Sequence, residues 1–344
     1  MGQFTVAVVG VGAVGEEMLR VLVQRDFPAR EIRCLARSAR TISVDGRSYE
    51  VRETTPDAFE GVDIALFAGT EGESGAAVTF AEEAVKRGAV VIDNGADFRM
   101  KPEVPLVVPE VNADALAKHQ GIISNPNCST IQMVVALKPL HDAGKVKRVI
   151  VSTYQAVSGT GRAAIKELEA QAKAWAKGEP LPAPSAYKYP IAFNLIPQIG
   201  SFRPDFYTSE EWKMIAETHK ILGDDKIAIS ATTIRVPVFN GHSEAVTVET
   251  EEKITRGQAL ELLAAAPGIV VVDDPSVAGT GGPAFPFPTE ATGTDLTYVG
   301  RVREDPFVPN TLHLWVVADN IRKGAAANAV QIAETLIERS LLPR

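Results

Sequence analysis

Short apolar runs alternate with amphipathic stretches along the first third of the chain. Phe4–Val9 is a β-rich run, and Glu16–Gln24 carries Met18, Leu19, Leu22 and Val23 at helical spacing. Ile32–Leu35 and Asp63–Phe67 read as strands, Val78–Arg87 as a helix, and Ala89–Ile92 and Ile122–Ile123 as strands. Strands that alternate with helices predict βαβ units and a parallel sheet. Their continuous apolar character suits a sheet covered on both faces.

After about residue 145 the texture changes. Longer strand-like segments span Arg148–Val157, Ile227–Val238, Ala245–Glu251 and Leu312–Ala318, and several alternate in polarity. That alternation predicts a sheet with one helix-covered or interface face. The stretch holding Pro180, Pro182 and Pro184 and the run Gly279–Gly293 read as loops. Gly324–Leu342 returns to helical spacing through Ala329, Val330, Ile332, Leu336 and Ile337. No internal repeat or low-complexity tract is visible.

Composition narrows the class. At roughly 100–200 residues per domain, the 344 residues predict about two domains. The 45% hydrophobic content excludes disorder as the main state. With 35 Lys+Arg against 43 Asp+Glu the net charge is −8, which argues against nucleic-acid binding driven by bulk positive charge. Cys34 and Cys128 are too few for a disulfide framework and fit a reducing cytosol. The start MGQFTVAVVG lacks the layout of a signal peptide, and Val6 breaks a myristoylation pattern. No apolar stretch is long enough to span a bilayer. A soluble cytoplasmic protein without a membrane partner is expected.

The strand Phe4–Val9 runs into Gly10-Val11-Gly12-Ala13-Val14-Gly15. This is G-x-G-x-x-G between a strand and a helix, the context in which it binds a dinucleotide. Gly10 allows the tight turn, Gly12 lets a pyrophosphate approach the backbone, and Gly15 lets helix and strand pack. Free N–H groups at the helix start can hold the phosphates. The alternative is a glycine-rich turn without a ligand. The next strand ends Cys34-Leu35-Ala36-Arg37-Ser38-Ala39-Arg40 and carries no acid for ribose hydroxyls. Arg37 and Arg40 offer cationic forks and Ser38 a hydroxyl, which suits the 2′-phosphate of NADP. A solvated basic loop from Arg37 to Thr41 is the plainer reading.

Cys128 follows Ser124-Asn125-Pro126-Asn127 and opens a helix through Met133, Val134, Leu137 and Leu140. At a helix N-terminus the macrodipole and free N–H groups favour a thiolate and can hold an oxyanion. Cys34 reads as a buried spacer, Cys128 as a nucleophile.

Asn125-Pro126-Asn127-Cys128-Ser129-Thr130 resembles the active-site motif of the aspartate-semialdehyde dehydrogenase family. So do Val107–Asn112, Tyr154–Gly159, Glu217–Ile221, Arg235–Val238, Gly241–Glu244 and Asp319–Gly324, in the family's order and over nearly the whole chain. The resemblance implies an α/β fold: a Rossmann-type dinucleotide-binding domain (1–127, rejoined by a helix at about 320–344) and an α+β catalytic and dimerisation domain (128–319). It implies a homodimer that reduces L-4-aspartyl phosphate with NADPH, giving L-aspartate 4-semialdehyde and phosphate, on the route to lysine, methionine, threonine and isoleucine.

By the same resemblance Cys128 is the thioester nucleophile, His242 the general acid/base and Gln155 the group that orients the intermediate. Arg235 and Glu217 hold the substrate's carboxylate and amine, while Arg99, Asn127 and Lys220 surround the phosphate. Gly10 to Gly15, Arg37, Ser38, Ser158, Gly159 and Asn320 contact the cofactor; no metal is implied.

The residues themselves fit this chemistry while leaving alternatives open. A soft nucleophile expels phosphate, and a histidine moves protons near neutral pH. A histidine after a strand is also often structural. Arg235 in an apolar strand needs an anionic partner, either a substrate carboxylate or an internal acid. Glu217 and Lys220, three apart, share a helix face and suit one ligand carrying both signs or an ordinary surface ion pair. The glycine turn is one residue shorter than in many members, Gly95 stands where relatives carry Ser or Thr, and Phe67–Gly72 departs from the usual serine-rich run. N-acetyl-glutamyl-phosphate reductase is the nearest rival, but it would leave Glu217 without a role. The other rival is an inactive NADP-binding homologue.

Overall fold

The computed structural model describes residues 2–69, 75–279 and 282–343. Thr70–Gly72 of the Phe67–Gly72 run, and residues 280–281 of the Gly279–Gly293 loop, lie outside the described residues. Two compact units form: residues up to 127 with those from 324 onward, and residues 128–323.

The first unit opens with β1 (Phe4–Val9), α1 (Ala13–Gln24), β2 (Ala29–Ala36), β3 (Arg40–Val44), β4 (Arg47–Glu53), β5 (Ile64–Phe67), α2 (Ala76–Lys86), β6 (Val90–Asp93), α3 (Pro109–Asn112) and β7 (Ile122–Ser124). Its sheet runs β3-β4-β2-β1-β5-β6-β7. From β2 through β7 all neighbours are parallel, and β4 also runs parallel to β2. Successive side chains of a strand point to opposite faces. Val6 and Val8 pack with Met18, Leu19 and Leu22 of α1, while Ala7 and Val9 pack with Phe59, Phe67 and Ala81. Burial on both faces explains why these strands are continuously apolar.

One correction concerns Arg37–Thr41, read above as loop. β3 begins at Arg40 and forms an antiparallel hairpin with β4. Its turn is Asp45-Gly46, with φ of 49° and 79°. Two central residues in the left-handed region match the twist of the flanking strands, and Asp-Gly is a favoured pair there.

The second unit contains α4 (Cys128–Gly144), β8 (Val146–Gln155), α5 (Arg162–Ala176), α6 (Ser209–Leu222), β9 (Ala228–Arg235), β10 (His242–Thr250), α7 (Arg256–Ala265), β11 (Ile269–Val271), α8 (Pro288–Ala291), β12 (Thr297–Glu304) and β13 (Thr311–Ala318). Its sheet runs β11-β12-β13-β10-β8-β9. One face packs Val149, Val151, Val246, Val248 and Leu314 against Met133, Leu137 and Leu140 of α4, Met214 of α6 and Leu263 of α7. The opposite face carries Ile150, which is exposed, and Ala245 and Trp315, which are half-buried. A Thr208–Glu211 capping box starts α6, and Gly223 ends it in the left-handed region. The last helix, α9 (Ala327–Glu338), belongs to the first unit, where Val330, Ile332 and Leu336 join the Val6/Val8 cluster.

Candidate active site

The glycine turn of the first unit has three distinct jobs. Gly10 has φ of +91°, where an L side chain is strained. A Cβ at Gly15 would lie 1.9 Å from the Gly10 carbonyl oxygen, so only glycine lets α1 start this close to β1. A Cβ at Gly12 would meet nothing within 4 Å. The space over Gly12 is therefore open for a phosphate to reach the backbone at the start of α1. A cleft of about 540 Å³ opens here, lined by Gly10, Val11, Gly12, Arg37, Arg40 and Glu53 among others. Ala13 and Val14 are the first residues of α1. Ser38 is exposed and does not line the cleft.

The cleft's acid was not legible in the sequence. It is Glu53, from the end of β4, opposite Ala36 in the register of β2 and β4. Only strand pairing brings it there. Arg99 and Asn127 also belong to this unit and are buried. Arg99 donates to the carbonyls of Asn125 (3.0 Å) and Asn94 (2.7 Å). Asn125 in turn is tied to Asn94 and Asn328, which fixes the chain entering Asn127-Cys128.

In the second unit the remaining chemistry gathers at one end of the sheet. Gln155 and Arg235 are the last residues of the parallel neighbours β8 and β9 and face each other in register. His242 is the first residue of the antiparallel neighbour β10, and Ser243 pairs with Tyr154. Parallel strand ends and an antiparallel strand start therefore coincide. Cys128 is the first residue of α4 and is half-buried. One turn further on, Gln132 Nε2 donates to the His242 carbonyl at 3.5 Å. Residues four apart share a helix face, so Cys128 lies on the face that α4 turns toward His242.

Each of these side chains is held for a physical reason. The Ala156 amide donates to His242 Nδ1 at 3.0 Å. The neutral ring therefore carries its proton on Nε2, which is buried without a partner. Burial, and then the neighbouring Arg235 charge, hold the imidazole pKa well below its ordinary 6.5. Arg235, 5% exposed, donates through Nη1 to the Ala156 carbonyl at 2.6 Å, and its Nε has no partner. A Cβ at Gly159 would lie 2.9 Å from Arg235 Nη1 and 3.3 Å from His242 Nε2, so glycine keeps the space between the two donors clear. Ser158 and Asn320, both buried, exchange hydrogen bonds of 3.0–3.2 Å, and Asn320 Oδ1 accepts from the Gly241 amide at 3.0 Å.

Glu217 is buried and Lys220 half-buried on the last turns of α6. Glu210, on the same helix, accepts from Gln155 Nε2 at 3.2 Å. That partner escaped the sequence reading. Its signal is a Glu-x-x-Lys pair repeated seven residues apart, Glu210/Lys213 and Glu217/Lys220, which stacks both pairs on one face.

Among the described residues no helix is long and apolar enough to cross a membrane. Two family models match the chain: the semialdehyde dehydrogenase NAD binding domain over residues 5–119 and the semialdehyde dehydrogenase dimerisation domain over residues 137–323. An aspartate-semialdehyde dehydrogenase of Aquifex aeolicus (strain VF5) is 47% identical over 98% of this chain and 99% of its own. One of Bacillus subtilis (strain 168) is 48% identical over 98% of each chain. Among solved structures, aspartate semialdehyde dehydrogenase II from Vibrio cholerae matches with a TM-score of 0.91 and 46% identity, covering 98% of this chain and 99% of that one.

Proposed function

The chain belongs to the aspartate-semialdehyde dehydrogenase family, and we propose that it reduces L-4-aspartyl phosphate with NADPH to L-aspartate 4-semialdehyde and phosphate. The reading rests above all on the meeting of Gln155, Arg235 and the His242 Nε2–H at one sheet end, on the unit whose helix α4 begins with Cys128.

Cys128 Sγ attacks the acyl carbon; a C–S bond forms, the C–O bond to phosphate breaks and phosphate leaves. Bound NADPH supplies the hydride that takes the thioester carbon to the aldehyde level. His242 meets the resulting oxyanion as a hydrogen-bond donor through Nε2, and the C–S bond then breaks to return the thiolate. Its Nδ1 lone pair is used by the Ala156 amide, which confines the expected acid/base role to the Nε2 edge. Gln155, steadied by Glu210, orients the intermediate. Arg235 takes the α-carboxylate, Glu217 the ammonium, and Arg99, Asn127 and Lys220 the phosphate. Ser158, Gly159 and Asn320 would help to hold the cofactor. The matched dimerisation domain supports a homodimer, and the low cysteine content supports the cytoplasm.

The test is phosphate-dependent oxidation of aspartate semialdehyde with NADP, beside the N-acetylated five-carbon analogue. Turnover of the first alone is expected; preference for the analogue would overturn the reading.

NADP rather than NAD rests on Arg37 and Arg40 in the cleft. A charge-assisted contact to the 2′-phosphate contributes about 1.5–3 kcal/mol, roughly tenfold to a hundredfold. Arg37→Ala is expected to weaken NADPH by that factor and NADH little, measured by titrating both cofactors. Glu53 in the same cleft leaves an acid for ribose hydroxyls, so some use of NAD by the native enzyme is expected. Equal losses for both cofactors would show that Arg37 holds the fold or the adenine instead.

A further inference from the structure

Glu244 lies two residues beyond His242 on the same face of β10 and is fully buried. Neither carboxyl oxygen has a hydrogen-bond partner. Its cross-strand neighbours are Thr153 on β8 and Val316 on β13. From α4 the side chain within reach is Gln132, one turn after Cys128. None of these carries a positive charge, and along its own strand His242 is neutral.

Gln132 turns its amide nitrogen toward the His242 carbonyl, so its Oε1 is a second buried acceptor without a donor. Two orphan acceptors on the packed elements α4 and β10, each costly to bury, share one remedy: a proton between them. Burial moves the Glu244 carboxyl well above its ordinary 4.5, against a smaller opposing pull from the Gln132 amide.

We propose that Glu244 is a neutral carboxylic acid that donates to Gln132 Oε1, and that this couple is a positioning device joining the strand of His242 to the helix of Cys128. The second N–H of Gln132 can face an ionised Glu244 without a flip, but Gln132 Oε1 then keeps no donor. The neutral acid satisfies every group at once. The device deepens the reading of Cys128 and His242 given above and rests on it for its consequence in turnover. The protonation state itself can be measured without turnover.

The experiment has two arms. Infrared difference spectra at pH 7, wild type minus Glu244→Gln, are expected to show the C=O stretch of a protonated carboxyl, and a carboxylate band in its place would overturn the proposal. In the kinetic arm, Glu244→Ala is expected to lower kcat roughly tenfold to a hundredfold through misplaced groups, with KM for semialdehyde and phosphate within about threefold. Glu244→Gln, a neutral isostere that also donates, is expected to restore kcat to within about threefold of wild type. Gln132→Leu combined with Glu244→Ala is expected to cost little more than either alone, as for two members of one couple. A large loss in Glu244→Gln, or additive losses in the double variant, would refute the couple. An absence of semialdehyde oxidation in the wild type would instead sink the functional reading and leave the infrared result standing.

Discussion

Cys128→Ser is expected to fold and bind NADPH normally while losing turnover by roughly a thousandfold or more, because a serine alkoxide is far harder to form at neutral pH than a thiolate. The first residue of α4 is also where the helix dipole favours a negative sulfur. The same contrast separates the two cysteines. Cys34 sits in the first unit's core, and burial pushes its thiol up to about 11. At pH 8 only about a thousandth of it would be thiolate even if reagent could reach it. Iodoacetamide is therefore expected to inactivate the enzyme by labelling Cys128. Peptide mapping that finds Cys34 alkylated and Cys128 intact in inactive protein would show that the nucleophile has been misassigned.

The strands of the first sheet were legible because both their faces are buried, so β1, β5 and β6 announce themselves as unbroken apolar runs. The β3–β4 hairpin was not, although Asp45-Gly46 is a strong turn signal. β3 is the edge strand with β4 beside it, and together they carry only Ile42, Val44, Tyr49 and Val51 as apolar positions. In the second unit the apolar pattern starts β10 at Ala245, three residues late. Those first residues, His242, Ser243 and Glu244, are polar yet buried, and hydrophobicity cannot mark a strand whose buried side chains are polar. Helix α5 was also missed. It is rich in Ala, Glu and Lys, and its buried Glu167 and Gln171 hold the amides of Ala186, Ile191 and Ala192. Such contacts are set by tertiary structure, not by local pattern. The glycine turn and the cysteine were visible because each depends on a local stretch of strand, turn and helix. Glu53, Glu210 and Glu244 depend on which strands and helices become neighbours.

Substrate choice tests that division most severely. The ligand is an amino acid with a second, phosphorylated carboxyl group. Its α-carboxylate needs a planar two-point donor, the role proposed for Arg235, and one that lysine cannot reproduce. Arg235 also uses Nη1 to satisfy the Ala156 carbonyl, while its Nε remains unpartnered. A lysine there would have to choose between the carbonyl and the ligand. Arg235→Lys is therefore expected to cut kcat/KM for aspartate semialdehyde by about a hundredfold, with the loss visible in kcat too. In the proposed arrangement carboxylate binding sets the carbonyl against Cys128, and small misplacements of reacting atoms are costly in turnover. Lys220, half-buried one turn from Glu217, is assigned to phosphate, and Lys220→Ala is expected to act chiefly on KM for phosphate. One charge-assisted contact there is about 1.5–3 kcal/mol, roughly tenfold to a hundredfold in that constant. Separate titrations of semialdehyde and phosphate in both variants divide the two roles. A rise confined to the phosphate KM in Arg235→Lys, or to the semialdehyde KM in Lys220→Ala, would mean that the carboxylate and phosphate positions are exchanged.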